Sequence, residues 1–310
     1  VGVDVRLPYR IRAGDRVAVV SPASPISPES LQSGLRVLDR LGVEFVLGKH
    51  VFDTADHLAG ADRDRAADLV AAWEDEKIQA ILCSRGGYGC ARLLPYLDLD
   101  ALAAAPKLFV GFSDITTLHL ALNRRGLVTI HGPMPITFSV ERPAWVVENF
   151  VRTLSEPRWS LPAGAPKPRT LTSGVAEGRL LGGCLALICD AIGTDALPDF
   201  EGALLLLEDV DEPPHRVDAM LTHLLHAGVL QKVAGIVVGE MTRTDERKDQ
   251  GIGGPPWREI VRERLGGLGV PTVVDFPVGH APAMATLPLG IRYRLDASAG
   301  TLDALEDHLL

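Results

Sequence analysis

Short runs of strongly apolar residues alternate with helix-periodic stretches over about the first 150 residues. That alternation confines the chain to a parallel sheet with helices packed against it. Residues 16–23 (RVAVVSPA) read as a strand and a turn. Ser27 then offers a helix N-cap, Pro28 sits at the first helical position, and Gly42 closes the helix. Residues 43–47 form a second strand. Residues 61–77 form an amphipathic helix with Leu69, Val70 and Trp73 on one face. A third strand over 78–83 runs into SRGGYG (84–89), and CARLLPYLD is a short helix limited by Pro95. Strands at 107–112 and 128–132 flank a helix over 114–126 that Gly126 stops, and a further helix covers roughly 142–155.

The texture then changes. EPRWSLPAGAPKPRT (156–170) is dense in proline and lacks periodicity, the pattern of a linker. Beyond it, 173–183, 202–208, 234–241, 271–279 and 291–296 read as strands. Residues 184–193, 213–228 and 257–266 read as helices, and 242–256 as an exposed polar loop. The expectation is an α/β protein in two units, 1–155 and 173–310, joined by a linker at 156–172. A length of 310 residues suits two domains at ~150 residues each.

Composition removes several classes. With 46% hydrophobic and 23% charged residues the chain is globular rather than disordered. Its net charge of −9 argues against non-specific binding to nucleic acid. No apolar run approaches the ~18 residues of a membrane span. The longest, LLGGCLALICDAIG, is broken by Gly182, Gly183 and Asp190. Cys83, Cys90, Cys184 and Cys189 form no CxxC pair, which suits a reduced setting. No charged, cleavable leader opens the chain at Val1, so a cytoplasmic location is expected.

Four segments carry candidate chemistry. In GFSDITTLHL (111–120) a strand passes at once into a helix, which exposes Ser113 at a sharp turn where helix-start N–H groups lack partners. A nucleophile there would have its oxyanion stabilised by the Asp114 amide, whereas the plainer reading is a Ser-Asp helix cap. The strict G-x-S-x-G elbow is absent, since position 115 is Ile. In SRGGYG, Gly86 and Gly87 supply either a tight turn or backbone N–H groups facing a ligand. In ALLLLEDVDEPPHRVDAM (203–220), Glu208 ends an apolar strand, and either solvates a loop or rigidly orients a base. In VVDFPVGHAPAMATLPLG (273–290), His280 lies in a Pro/Gly-rich loop, as an exposed side chain or a catalytic one. His215, His223 and His226 permit a metal site but lack an HExxH motif.

Taken in order, SRGGYGCARLLPYLD, GFSDITTLHL, the LLGG turn at 180–183, LLLLEDVDEPPHRVDAML and FPVGHAPAMATLPLG resemble the LD-carboxypeptidase family, the muramoyltetrapeptide carboxypeptidases of serine peptidase type S66. The resemblance implies Ser113 as nucleophile, His280 as general base and Glu208 as the third triad member. It implies an N-terminal α/β domain similar to class I glutamine amidotransferases, carrying the serine, and a smaller barrel-like C-terminal domain carrying Glu and His. The oxyanion would be met by the amides of Asp114 and of Gly86 or Gly87. Arg85 is a candidate clamp for the substrate's terminal carboxylate. The implied substrate is a peptidoglycan stem tetrapeptide, cut to release terminal D-alanine, with no metal or organic cofactor and with a homodimer as the implied assembly. Where relatives often carry Asn after LLGG, this chain has Cys184. Cys184 and Cys90 also leave a thiol nucleophile as an alternative, though neither has a histidine in its own segment.

The rival inside the family is the microcin-immunity type, which cleaves aminoacyl-nucleotide-like amides and needs an aromatic platform, for which Trp257 is the candidate. Outside it stand an anion-binding α/β protein without catalysis and a metal hydrolase built on the three histidines.

Overall fold

The computed structural model describes residues 4–247 and 252–310. The first sheet takes β1 (Arg16–Val20), β2 (Glu44–Leu47), β3 (Ile78–Cys83), β4 (Leu108–Gly111) and β5 (Thr129–His131). These run parallel in the order β5-β4-β3-β1-β2. Their crossovers are α1 (Pro28–Leu38), α2 (Asp62–Glu74), α3 (Leu99–Ala104) and α4 (Thr116–Asn123), and α5 (Pro135–Phe138) and α6 (Ala144–Ser155) follow. Ser27 caps α1 as its position predicts, its Oγ accepting from Ser30 N at 3.1 Å. The central strands are buried along their length, so they read as unbroken apolar runs.

The second sheet contains β6 (Arg169–Thr172), β7 (Val175–Cys184), β8 (Leu204–Val210), β9 (Gly235–Thr242), β10 (Thr272–Val274), β12 (Arg292–Asp296) and β13 (Thr301–Ala304), in the order β13-β12-β7-β8-β9-β10-β6. β7 to β10 are parallel, and the flanks are antiparallel. The helices α7 (Leu185–Ala191), α8 (Pro214–His226) and α9 (Trp257–Leu265) pack on it around Leu205, Leu207, Leu221 and Val261. The remaining strand, β11 (Leu287–Leu289), joins the first sheet, pairing antiparallel with β5 so that Leu287 lies opposite His131. The two-unit α/β architecture expected from the alternation is present, with this one strand passing from the later half of the chain to the earlier sheet.

Local departures have physical causes. The aperiodic stretch at 156–172 contains Trp159, 3% exposed, whose Nε1 donates to the Thr286 carbonyl at 2.6 Å, and it ends in β6. Among the described residues β6 pairs with β10 alone, as an edge strand whose residues are exposed or half-buried, so no alternating pattern marks it. The strand expected over 271–279 stops at Val274, where Asp275 turns to φ +58°. Residues 90–96 form a 3-10 helix, and the helix expected from 114 opens with a 3-10 turn over Ser113–Ile115. In the polar loop at 242–256, residues 248–251 lie outside the described residues. No helix among the described residues is long and apolar enough to cross a membrane.

Candidate active site

The end of β4 sets the first group. Ser113 adopts φ +64°, a left-handed conformation that an L-residue enters at a cost of about 1–2 kcal/mol. The elbow expected at this strand-to-helix junction therefore forms without the second glycine of the strict motif. Asp114 is buried, and its Oδ2 accepts from the Cys90 amide at 2.8 Å. Burial raises its carboxyl above the usual range, against the opposing pull of that hydrogen bond. Its role is to tie the elbow to the glycine loop.

That loop passes close over the serine. A Cβ at Gly86 would lie 2.8 Å from Ser113 Cβ, 3.0 Å from its Oγ and 3.3 Å from the Asp114 amide nitrogen. Gly86 is thus beside the hydroxyl, while Gly87 faces Ser24. Arg85 donates from Nη1 to the Pro25 carbonyl at 3.0 Å, bracing the loop against the 23–26 turn.

The second group comes from the other sheet. Glu208 lies in β8 with a fully buried side chain, and its Oε2 accepts from His280 Nδ1 at 2.7 Å. Gly279, at φ +101°, allows this approach; a Cβ there would stand 2.5 Å from Glu208 Oε2. Burial works to raise the Glu208 carboxyl, but the charge and hydrogen bond of His280, together with the nearness of His131, outweigh it and hold it at about 2. Burial likewise opposes charge on His280, and the adjoining Glu208 carboxylate overcomes this, so its value is raised. Asp209, the next residue, is pushed up to about 7 by burial and by the Glu208 charge.

The halves meet at Phe112. Its ring lies 4.8 Å from the His280 ring, which brings that imidazole to the residue next to Ser113. Among the described residues Ser113 Oγ has no hydrogen-bond partner; contacts between nucleophile and base commonly tighten only with substrate bound. Besides Glu208, the earlier half of the chain holds the His280 loop. Arg142 Nη1 donates to the Ala281 carbonyl at 3.4 Å, and Asn149 Oδ1 on α6 accepts from the Thr286 amide at 2.7 Å. Thr116 Oγ1 on α4 accepts from the Cys184 amide at 3.1 Å.

Other candidates fall elsewhere. Burial pushes the Cys90 and Cys184 thiols well above their ordinary range, which leaves no thiolate to attack. His215, His223 and His226 do not gather; among the described residues the group with metal-ligand spacing is His50, Asp53 and Asp64. Trp257 is 2% exposed, with its ring under the Arg258 guanidinium at 4.1 Å, and so is core rather than platform. Sequence reasoning missed His131, which lies fully buried with Nε2 3.7 Å from Glu208 Oε1. The available signal was a histidine ending an apolar strand, followed at once by Gly-Pro.

A two-unit α/β fold with a serine elbow beneath a glycine loop defines a serine-type hydrolase. Residues 17–132 match the LD-carboxypeptidase N-terminal domain and residues 177–295 the LD-carboxypeptidase C-terminal domain. The chain belongs to the LD-carboxypeptidase family. It is 45% identical over 304 residues to SCO6489 of Streptomyces coelicolor, which carries a provisional carboxypeptidase name, covering 95% of this chain and 94% of that protein. It is 35% identical over 289 residues to the murein tetrapeptide carboxypeptidase of Pseudomonas aeruginosa, covering 89% and 91%. The structure of MccF, the microcin C7 self-immunity protein of Escherichia coli, in complex with glutamyl sulfamoyl guanosine has a TM-score of 0.87 at 26% identity, covering 98% of this chain and 99% of that one.

Proposed function

We propose that this enzyme hydrolyses the L,D-amide bond of peptidoglycan stem tetrapeptides and releases terminal D-alanine. The observation that carries the chemistry is the 2.7 Å contact of His280 Nδ1 with the buried Glu208 carboxylate, beside a serine strained to φ +64°. In this reading His280 Nε2 takes the Ser113 proton as Oγ attacks the scissile carbonyl, then returns it to the departing D-alanine nitrogen. Water repeats the cycle on the acyl-enzyme. Glu208 keeps the proton on Nδ1 and stabilises the imidazolium. The amides of Asp114 and of a loop glycine meet the oxyanion, each worth ~3 kcal/mol in comparable sites. The closeness of Gly86 to Ser113 Oγ favours it over Gly87 as the second donor. Arg85 holds the Pro25 carbonyl with Nη1 and its Nε is buried, so in this reading Nη2 meets the substrate carboxylate.

The substrate assignment is supported by the likeness to the Pseudomonas aeruginosa enzyme over most of both chains. Digestion of a stem tetrapeptide, read by mass spectrometry with Ser113→Ala as control, tests it. D-alanine release that persists at the wild-type rate in the variant would exclude Ser113. The likeness to MccF keeps an aminoacyl-sulfamoyl nucleotide as the comparison substrate, but burial of Trp257 removes that residue as an adenine platform. Faster cleavage of the nucleotide than of the tetrapeptide would reverse the assignment. The proposal places the enzyme in the cytoplasm, where four free buried cysteines are at home, and takes it to be a homodimer, which sedimentation of the purified protein tests.

A further inference from the structure

Three polar atoms without a hydrogen-bond partner meet in the core beside the candidate triad. Glu208 Oε1 is one, and the two ring nitrogens of His131 are the others. Both side chains are fully buried, and Nε2 faces Oε1 across 3.7 Å. Leaving either group unpaired in the core is costly, and a carboxylate oxygen more so than a neutral one. Closing that gap would pair Nε2 with Oε1 and leave Nδ1 as the one unpartnered atom of the three. The His131 backbone is held on each side, opposite Gly111 of the serine-bearing strand and opposite Leu287 of β11. Phe112 lies between the imidazoles, its centroid 5.7 Å from the His131 ring and 4.8 Å from that of His280.

We propose that His131 is a positioning residue, its Nε2–H donating to Glu208 Oε1 so that Oε2 stays aimed at His280 Nδ1. The carboxylate is thereby gripped from both halves of the chain, by His131 from the serine's sheet and by His280 from the other. The inference rests on the triad reading of Ser113, Glu208 and His280. Besides His131 and Glu208, the groups facing this cluster are Asp209 and Asp211 toward His280 and Cys184 toward Glu208, while His119 on α4 lies toward His131. His119 stays neutral, since burial lowers its value to about 3 and its ring is engaged by Thr129 Oγ1 and the Gly111 carbonyl.

Withdrawing the donor concentrates carboxylate charge on Oε2 and stabilises the imidazolium. His131→Leu therefore moves the acid limb of kcat/KM upward, by about half a pH unit or more, and lowers kcat about tenfold with little change in KM. His131→Gln, which keeps an N–H at the same reach, restores most of both. NMR titration of the His280 ring in the Ser113→Ala background reads the same shift without activity. If tetrapeptide hydrolysis survives Ser113→Ala, the triad reading fails, and this titration still tests the coupling. An unmoved His280 titration and acid limb in His131→Leu, with only the melting temperature lowered, overturns the proposal in favour of simple packing. Should the Leu variant not fold, the wild-type ¹⁵N shifts decide. A His131 ring protonated at Nε2 supports the proposal, and one protonated only at Nδ1 overturns it.

Discussion

Residue 113 carries the backbone strain of the site. Its φ of +64° suits glycine, so Ser113→Gly is expected to be about 1 kcal/mol more stable than Ser113→Ala by thermal or urea denaturation, with both inactive. Gly86 is the complementary case. Gly86→Ala drives a methyl group to within 3.0 Å of Ser113 Oγ, so kcat falls about a hundredfold while the circular dichroism spectrum is unchanged. The Glu208–His280 contact sets the pH behaviour. A base acts only when neutral and His280 is raised, so the acid limb of kcat/KM lies above the ordinary imidazole value of 6.5, and Glu208→Gln lowers both that limb and the rate. The linkage to stability has opposite signs for the two partners. The raised His280 contributes fully below its ordinary value and loses that contribution as pH climbs through the raised one. Glu208, held at about 2, contributes above its ordinary 4.5 and loses this as pH falls toward 2. Urea midpoints below pH 4.5 are expected to fall less steeply in Glu208→Gln than in the wild type.

Among the elements, the loop over 275–286 matters most, because it has no regular structure to hold His280. Asn149 on α6 replaces that missing ladder by accepting from the Thr286 amide. Asn149→Ala leaves a buried amide unsatisfied, at about 1–3 kcal/mol. It is expected to lower kcat as well, which a melt and a steady-state assay on one sample check together. The strands legible in sequence, β1, β3, β4 and β8, are buried along most of their length and read as apolar runs. β6, β11 and β13 escaped. β6 is an exposed edge strand, β11 spans three residues with Pro288 at its centre, and β13 is a half-exposed edge. Proline is tolerated in β11 because that strand is itself an edge.

For the molecule as a whole, β11 places a strand from the later half of the chain in the sheet of the earlier half. A fragment ending at residue 155 loses this strand and bares β5, with His131 and Ile130, as a new edge. It is expected to aggregate or stay unfolded, and the intact chain to melt in one calorimetric transition; a well-dispersed NMR spectrum from the fragment would contradict this. Burial periodicity, the Ser-Asp turn, the glycine loop and the family motifs are properties of neighbours along the chain, so the sequence by itself determined the α/β class, the family and the candidate Ser113, Glu208 and His280. Which carboxylate oxygen faces which imidazole, that Gly86 rather than Gly87 lies against the serine, and that His131 reaches Glu208 were decided by tertiary structure alone. Glu208 is 77 residues from His131 and 72 from His280 in the sequence, and only the packing of two sheets brings these side chains to within a few ångströms.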